Sequence, residues 1–471
     1  MAKVERDRLV RLPEGQGGSL DRFFRITERG STVRIEVVAG ITTWLTMAYI
    51  LFVNPQILGF VGIPDLQSKG LPFAQVLTVT ALAAGVMTIL MGVVANYPFA
   101  LAAGLGLNAF VAFTLVAADG LSFPQAMGVI VAEGILITIL VLTNVREMIL
   151  NAIPMDLKRA IGIGIGAFIA LIGLINAGVV TNQGATPLSL APELTTWRIA
   201  VFAVGLTVGA VLVARRVKGA LLIAIVAGTV VAMIANIAND HAIWGNEIAS
   251  LPSKIWAAPD FGLVGQFSFS FVSALGWATA IAAVISVMLS DFFDTMGTVI
   301  GIGGEAGLLD QDGKLPDVDK VLLVDSLAAV AGGVTSSSSN TTYIESASGV
   351  SEGGRTGLTA VVVGALFLLA MFFSPIAGVI PPEATAPALV IVGYFMMTLV
   401  RDIDWGDPGI GIPALLTIVM MPFTYSITNG VGAGFLSYVV IAVLRGKARE
   451  VHPLLYVVAA IFAWYFIHGV V

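Results

Sequence analysis

The chain has 471 residues, 57% of them hydrophobic and only 11% charged, with a formal net charge of −6. A soluble domain carries roughly 25% charged residues, so this composition, with mean hydropathy +0.94, excludes a soluble globular protein and specifies a polytopic membrane protein. Cysteine is absent, which excludes disulfides, thiolate metal sites and thiol catalysis; the three histidines, His241, His452 and His468, show no ligand spacing.

Residues 1–34 mix basic and acidic side chains and have no short apolar core before a cleavage site, so no signal peptide is expected. Within them DRFFRITERG predicts a short amphipathic helix on the membrane surface, with Phe23, Phe24 and Ile26 toward lipid. Apolar segments able to span follow at 35–60, 73–94, 99–118, 124–143, 157–178, 196–214 and 218–239. After a more polar stretch come 272–302, 318–335, 337–350, 357–379, 385–401, 409–427, 430–445 and 453–470. A span needs about 20 residues, so 337–350 is too short and polar for an ordinary helix. The region 409–470 reads as two helices plus a broken or interfacial one. Arg6, Arg8, Arg11, Arg22, Arg25, Arg29 and Arg34 precede the first span, whereas 179–195 has no basic residue and 240–267 only Lys254. Arg146, Lys158, Arg159, Arg215, Arg216, Lys218, Arg355 and Arg401 fall on the same side as the N-terminus. Basic residues favour the cytoplasmic side, so the N-terminus is expected there.

A faint internal repeat runs at an offset of 245 residues: Leu82-Ala83-Ala84 matches Leu327-Ala328-Ala329, and Ala102-Ala103-Gly104-Leu105 matches Ala347-Ser348-Gly349-Val350. Thr46-Met47-Ala48 and Thr295-Met296-Gly297 stand near the start of each half. Seven spans per half is an odd number, so the halves would be inverted, a plan that places a site where interrupted helices meet at the midplane. Segments 96–108 and 335–350 are the matched interrupted elements, and Ala100 is the expected counterpart of Glu345. Pro98 with Gly104 and Gly106 disfavours a continuous helix in the first, and Thr335 to Thr342 favours extended backbone in the second. Each is expected to be a short strand entering a half-helix.

Asp291 and Asp294 lie inside a roughly 30-residue apolar stretch. Charge at membrane depth costs about 2.5–3.5 kcal/mol on insertion scales, so such groups line a site or pathway. Their i, i+3 spacing places both on one helix face. Two carboxylates this close repel, so one is expected to hold a proton part of the time, as coupling to protons requires. Glu345, with Ser346 next to it, is expected at a half-helix N-terminus, where the dipole favours a carboxylate. Asn108 reads equally as helix glue or ligand; Glu133 and Asp325 read as buried pairs at least as readily as substrate groups. Gly162, Gly164 and Gly166 are read as close helix packing, not a nucleotide loop, because no strand precedes them. Asp310, Asp312, Asp317 and Asp319 are read as a solvated loop.

EVVAGITTWLTMAYILFVNPQIL (36–58), GLGLNAF (104–110), DFFDTMGT (291–298) and TSSSSNTTYIESASGV (335–350) together resemble the AzgA-like purine permeases of the nucleobase–cation symporter 2 family. The resemblance covers nearly the whole chain after residue 20. It implies an all-α polytopic membrane protein of fourteen segments in two inverted repeats of seven, with short strands in broken segments 3 and 10. It implies a cytoplasmic segment 1–34, a core (transport) domain from 35–143 and 268–379, and a gate (scaffold) domain from 144–267 and 380–471, with elevator-type motion. It also implies import of adenine, guanine or hypoxanthine with protons across the cell (inner) membrane, Asp291, Asp294 and Glu345 serving as substrate and coupling carboxylates and Asn108 as support. A purine is flat and neutral; its edge offers N–H donors to a carboxylate and lone pairs to backbone N–H groups. Phe99, Phe292 and Tyr343 are candidate walls on its faces, and Ala100 and Ser346 complete the expected lining. A homodimer is compatible with the sequence; no nucleic acid, cofactor or metal is expected. The competing readings are an anion transporter of the same fold, whose ligand the three acids would repel, and a metal-dependent membrane enzyme using the DxxD pair, for which no second acidic cluster or intramembrane Lys or Arg is present.

Overall fold

Long apolar runs in lipid become helices because only intrachain hydrogen bonds can satisfy their backbone. The computed structural model describes residues 18–63, 65–143, 152–181, 188–309 and 315–468. Arg6, Arg8, Arg11, Arg146, Asp310 and Asp312 lie outside these residues.

The first half comprises α1 (Ser19–Phe24), α2 (Val33–Met47), α3 (Ile50–Leu58), α4 (Phe73–Leu90), β1 (Leu101–Ala103), α5 (Leu105–Ala109), α6 (Phe123–Leu142), α7 (Met155–Asn176), the pair β2 (Val180–Thr181) and β3 (Ser189–Leu190), α8 (Trp197–Ala214) and α9 (Ala220–Ala238). Two helices end in wider π-helical turns, Met91–Ala95 after α4 and Phe110–Ala118 after α5. The second half comprises α10 (Phe271–Glu305), α11 (Val318–Thr335), β4 (Asn340–Thr342), α12 (Ser346–Ser351), α13 (Gly357–Ala370), α14 (Ser374–Gly378), α15 (Pro382–Met397), α16 (Pro408–Thr424), α17 (Ile427–Leu444) and α18 (Pro453–His468). α10 is kinked at Gly276, whose φ of 76° no helix accommodates. Ten helical runs among the described residues are long and apolar enough to cross a membrane, and Leu105–Ala118, Pro408–Thr424 and Pro453–Ile467 are shorter apolar ones. The protein is a mostly helical, multi-pass membrane protein. Leu142, Ile234, Phe423 and Leu444 face outward, as lipid contact permits.

Several expectations are corrected. The DRFF segment does form a helix, but Phe24 and Ile26 bury against Leu358 and Val361, leaving only Phe23 outward, because the chain turns back at Arg25 (φ 54°). The short strands expected in segments 3 and 10 form as β1 and β4; the β2–β3 pair within 179–195 went unread, since two-residue strands leave no periodicity. The 409–470 region forms three helices.

Helix contacts sort into two groups. α2, α4, α6, α10, α11 and α13 pack on one another, and α7, α8, α9, α15, α16 and α17 form the second set. Glycines let backbones meet, as membrane helices with no hydrophobic drive between them require. A Cβ on Gly357 would stand 1.9 Å from the Gly92 carbonyl, and one on Gly364 2.5 Å from that of Gly85. Gly164 and Gly166 of the GxGxG run meet Met421 and Met396 in the same manner, so the run is helix packing. Gly357→Leu must separate α13 from the end of α4. Overpacking costs about 1–3 kcal/mol even where side chains can yield, and here a carbonyl cannot. Fluorescence-detected size exclusion is expected to show lost folded protein and a lowered melting temperature, whereas Gly301→Ala, whose Cβ meets nothing within 4 Å, should match the parent.

Candidate functional site

β1 and β4 pair antiparallel, Leu101 with Thr342, Ala102 with Thr341 and Ala103 with Asn340. Two flanking bonds extend the ladder: Gly104 N–H donates to Ser339 O at 2.9 Å and Tyr343 N–H to Ala100 O at 2.9 Å. Each strand leads at once into a short helix, α5 or α12. The pairing is antiparallel, so no single offset relates the two elements; extended by one bond, it sets Ala100 beside Tyr343. Ala100 also donates its N–H to Ser346 Oγ at 3.0 Å, which ties the entry of β1 to the start of α12.

A cavity of about 110 Å³ lies where these helices begin. α10 contributes Ser290, Asp294 and Thr298, one side chain per turn. Gly104 to Leu107 and Thr341 to Glu345 form the floor, and Tyr49 enters from the junction of α2 and α3. Ile165 from α7 and Val392, Phe395 and Met396 from α15 close the other side with apolar groups. Asp294 is open to the cavity and Glu345 half-buried. The Tyr49 hydroxyl donates to Glu345 Oε1 at 2.6 Å, and Tyr343 donates its hydroxyl to Ala103 O at 2.5 Å. Behind the floor, fully buried Asp325 accepts from Thr342 N at 2.9 Å, Thr342 Oγ1 at 2.7 Å and Thr295 Oγ1 at 2.7 Å. Thr295 and Thr341 hydroxyls meet at 2.6 Å. A larger apolar cavity of about 240 Å³, lined by Trp44, Phe52, Leu222 and Leu369 among others, offers a polar ligand almost nothing.

The structure brings Asp294, Glu345 and Tyr343 to one cavity. It separates Asp291 from Asp294: residues three apart diverge by roughly 60° around a helix, and Asp291, fully buried, accepts from Ser339 Oγ at 3.2 Å on the side facing Glu133. Asn108 is fully buried in α5, neither end of its amide having a hydrogen-bond partner among the described residues. Phe99 is buried against Tyr97, stacked at 5.2 Å, and Phe292 lies edge-on to Phe293. Neither ring is among the residues lining the cavity, nor are Ala100, Ser346, Asn108 or Asp291. The apolar walls come from α7 and α15, elements remote in the chain from the acidic motifs, and went unread. Ser290 and Thr298 were legible from the i, i+4, i+8 row through Asp294. Tyr49 could have been noticed as the polar tip of an otherwise apolar span.

Removing the Tyr49 hydroxyl tests how strongly the Glu345 orientation matters. A hydrogen bond to a charged group is worth about 1.5–3 kcal/mol. Tyr49→Phe is expected to weaken ligand affinity by roughly tenfold or more with little change in folding, measured as Kd beside melting temperature.

Residues 34–432 match the family described as Permease family. The adenine permease AdeQ of Escherichia coli (strain K12) is 41% identical over 95% of this chain and 96% of its own length. The guanine/hypoxanthine permease PbuG of Bacillus subtilis (strain 168) is 39% identical over 94% of this chain and 99% of its own. Among solved structures, the transmembrane domain of the cyanobacterial bicarbonate transporter BicA superposes with a TM-score of 0.60 at 15% identity, covering 85% of this chain and 97% of that one. SLC26A9 gives 0.59 at 11% identity over 88% of this chain and 66% of its own. At these identities the structural likeness speaks for the fold alone. Set beside the motifs around Tyr49, Asn108, Asp294 and Glu345, the sequence matches settle the assignment: the chain belongs to the permease family, is a transporter rather than an enzyme, and stands with the purine permeases its motifs resemble.

Proposed function

We propose that this protein imports purine nucleobases (adenine, guanine or hypoxanthine) together with protons, by alternating access of the elevator type. The observation that carries the reading is the meeting of Asp294 and Glu345, from separate segments, in one cavity with apolar walls. A carboxylate accepts adjacent N–H donors from a purine edge, and unpaired N–H groups at the start of α5 answer the ring nitrogens. Phe395, Ile165, Val392 and Met396 suit the flat faces. Asp291, Asn108, Phe99, Ala100, Phe292 and Ser346 then act from behind the lining. The relatives named for adenine and for guanine/hypoxanthine support the substrate class.

The elevator reading follows from the two helix groups: residues 35–143 and 268–379 as the moving core, 144–267 and 380–471 as the gate, with the cavity at their boundary. Every acid of the cavity rides on the core, and the gate gives only apolar side chains. The antiparallel pairing of β1 with β4, each leading into a short helix, supports inverted repeats of seven segments. Counted so, α17 is the fourteenth and α18 an additional C-terminal helix. The basic residues place the N-terminus in the cytoplasm.

An anion transporter is the second reading, favoured by the fold neighbours named for bicarbonate and for anions. Asp294 and Glu345 in the cavity would repel such a ligand. Reconstituted protein is expected to accumulate at least one radiolabelled purine, with accumulation collapsed by a protonophore, and to take up neither sulfate nor bicarbonate. Anion uptake without purine uptake would reverse the choice.

A further inference from the structure

We infer that the coupling proton is carried by a carboxyl pair, Glu133 with Asp291, set behind the cavity and apart from the acids that face the purine; this rests on the purine–proton reading above. Glu133 belongs to α6 and Asp291 to α10, helices packed on one another, and both side chains have no solvent exposure. They face each other carboxyl to carboxyl, with Asp325 of α11 as the next charge and Asp294 one turn along α10.

Three carboxylate oxygens of the pair lack a hydrogen-bond partner among the described residues. Ser339 Oγ reaches Asp291 Oδ2, while Asp291 Oδ1 and both Glu133 oxygens find no donor in hydrogen-bonding geometry among the described residues, the Ser339 and Thr341 hydroxyls being their nearest polar neighbours outside the pair. Among the described residues no salt bridge to either carboxyl is formed. α6, α10, β4 and α12 contain no Lys, Arg or His; in α11 the basic residue is Lys320, paired with Asp317 in the exposed first turn, and Lys158 of α7 stands over the Phe293 ring at 5.2 Å. Two desolvated carboxylates in contact cannot both keep their charge. A proton supplies a donor: a hydronium ion gives it to one carboxylate oxygen, the new O–H donates to the other carboxylate, and water takes the proton back on release.

The pair is wired to the cavity floor. Ser339, which bonds Asp291, accepts the Gly104 N–H through its own carbonyl, and Gly104 lines the cavity. Two residues on, Thr341 lines the cavity and bonds Thr295, which donates to Asp325. Loss of the proton leaves adjacent anions pulling on Ser339 and the strand behind it, so proton and purine occupancy are linked reciprocally.

Glu133→Gln supplies a permanent donor. With radiolabelled adenine, and hypoxanthine in parallel, it should still bind and exchange purine, with an affinity that varies less with pH than the parent's. Accumulation driven by an inward proton gradient should fall by about tenfold or more. Infrared spectroscopy of the purified parent near neutral pH should show a protonated-carboxyl stretch that shifts in D₂O, persists in Asp294→Asn and is lost in Glu133→Gln. Parent-like accumulation and pH profile in Glu133→Gln would overturn the inference. So would absence of the band in the parent, a measurement that needs no variant to fold. If the parent shows the band yet binds no purine, the substrate reading falls and the carboxyl pair stands.

Discussion

Asp294→Asn and Glu345→Gln are each expected to abolish concentrative purine uptake. The two acids are the acceptors of the cavity that stand opposite each other from α10 and the start of α12. Converting one to an amide replaces an acceptor-only group by one that also presents donors, which then confront the N–H edge of the ligand. The lost charge-assisted bond alone is worth about 1.5–3 kcal/mol, roughly 10–100-fold in affinity. For Glu345 the change also upsets the Tyr49 hydroxyl, whose acceptor weakens. Glu345→Asp keeps the charge but withdraws it by one methylene, so affinity should weaken without disappearing. Uptake and Kd measured together in proteoliposomes distinguish these outcomes; parent-like rates in either neutral variant would contradict the assignment of the cavity.

Asp325→Ala is the second change of large expected effect, and it acts through the fold. Asp325 accepts three hydrogen bonds at the back of β4, and all the groups that make them are buried. Truncation leaves the Thr342 N–H and two hydroxyls without an acceptor, each costing about 1–3 kcal/mol when buried. The strand that forms the cavity floor then loses its anchor to α11. The expected result is a lowered melting temperature with loss of purine binding, whereas Asp325→Asn, which keeps one acceptor oxygen, should retain part of both. An unchanged melting temperature in Asp325→Ala would show that β4 does not depend on this anchor.

Much of this architecture is written in local chemistry. Apolar runs of bilayer length became helices, and the Pro98 and Gly104 breaks with the Ser/Thr tract became strands β1 and β4. The acids inside apolar sequence drew attention to the segments that carry Asp294 and Glu345 to one cavity, because charge in lipid is costly wherever it occurs. What could not be read was rotation and register. The 245-residue offset rests on small-residue matches and does not show that Ala100 lies beside Tyr343 and Ser346, a register that only the strand pairing reveals. Asp291 and Asp294 look like one pair in sequence, yet α10 turns Asp294 to the cavity and Asp291 to Glu133. Phe99 and Phe292 are aromatic and close to the motif, but packing turns them onto Tyr97 and Phe293. The walls from Ile165 and Phe395 depend on how α7 and α15 meet the other helix group, which no local pattern encodes.

The absence of cysteine makes one measurement especially direct. Ile344→Cys would place a lone thiol at an exposed position in the cavity wall, next to Glu345. The account predicts that a thiol reagent labels it and that purine slows the labelling, with half-protection at the concentration that half-saturates uptake. Labelling indifferent to a purine that the same protein transports would contradict the claim that Asp294 and Glu345 hold the substrate.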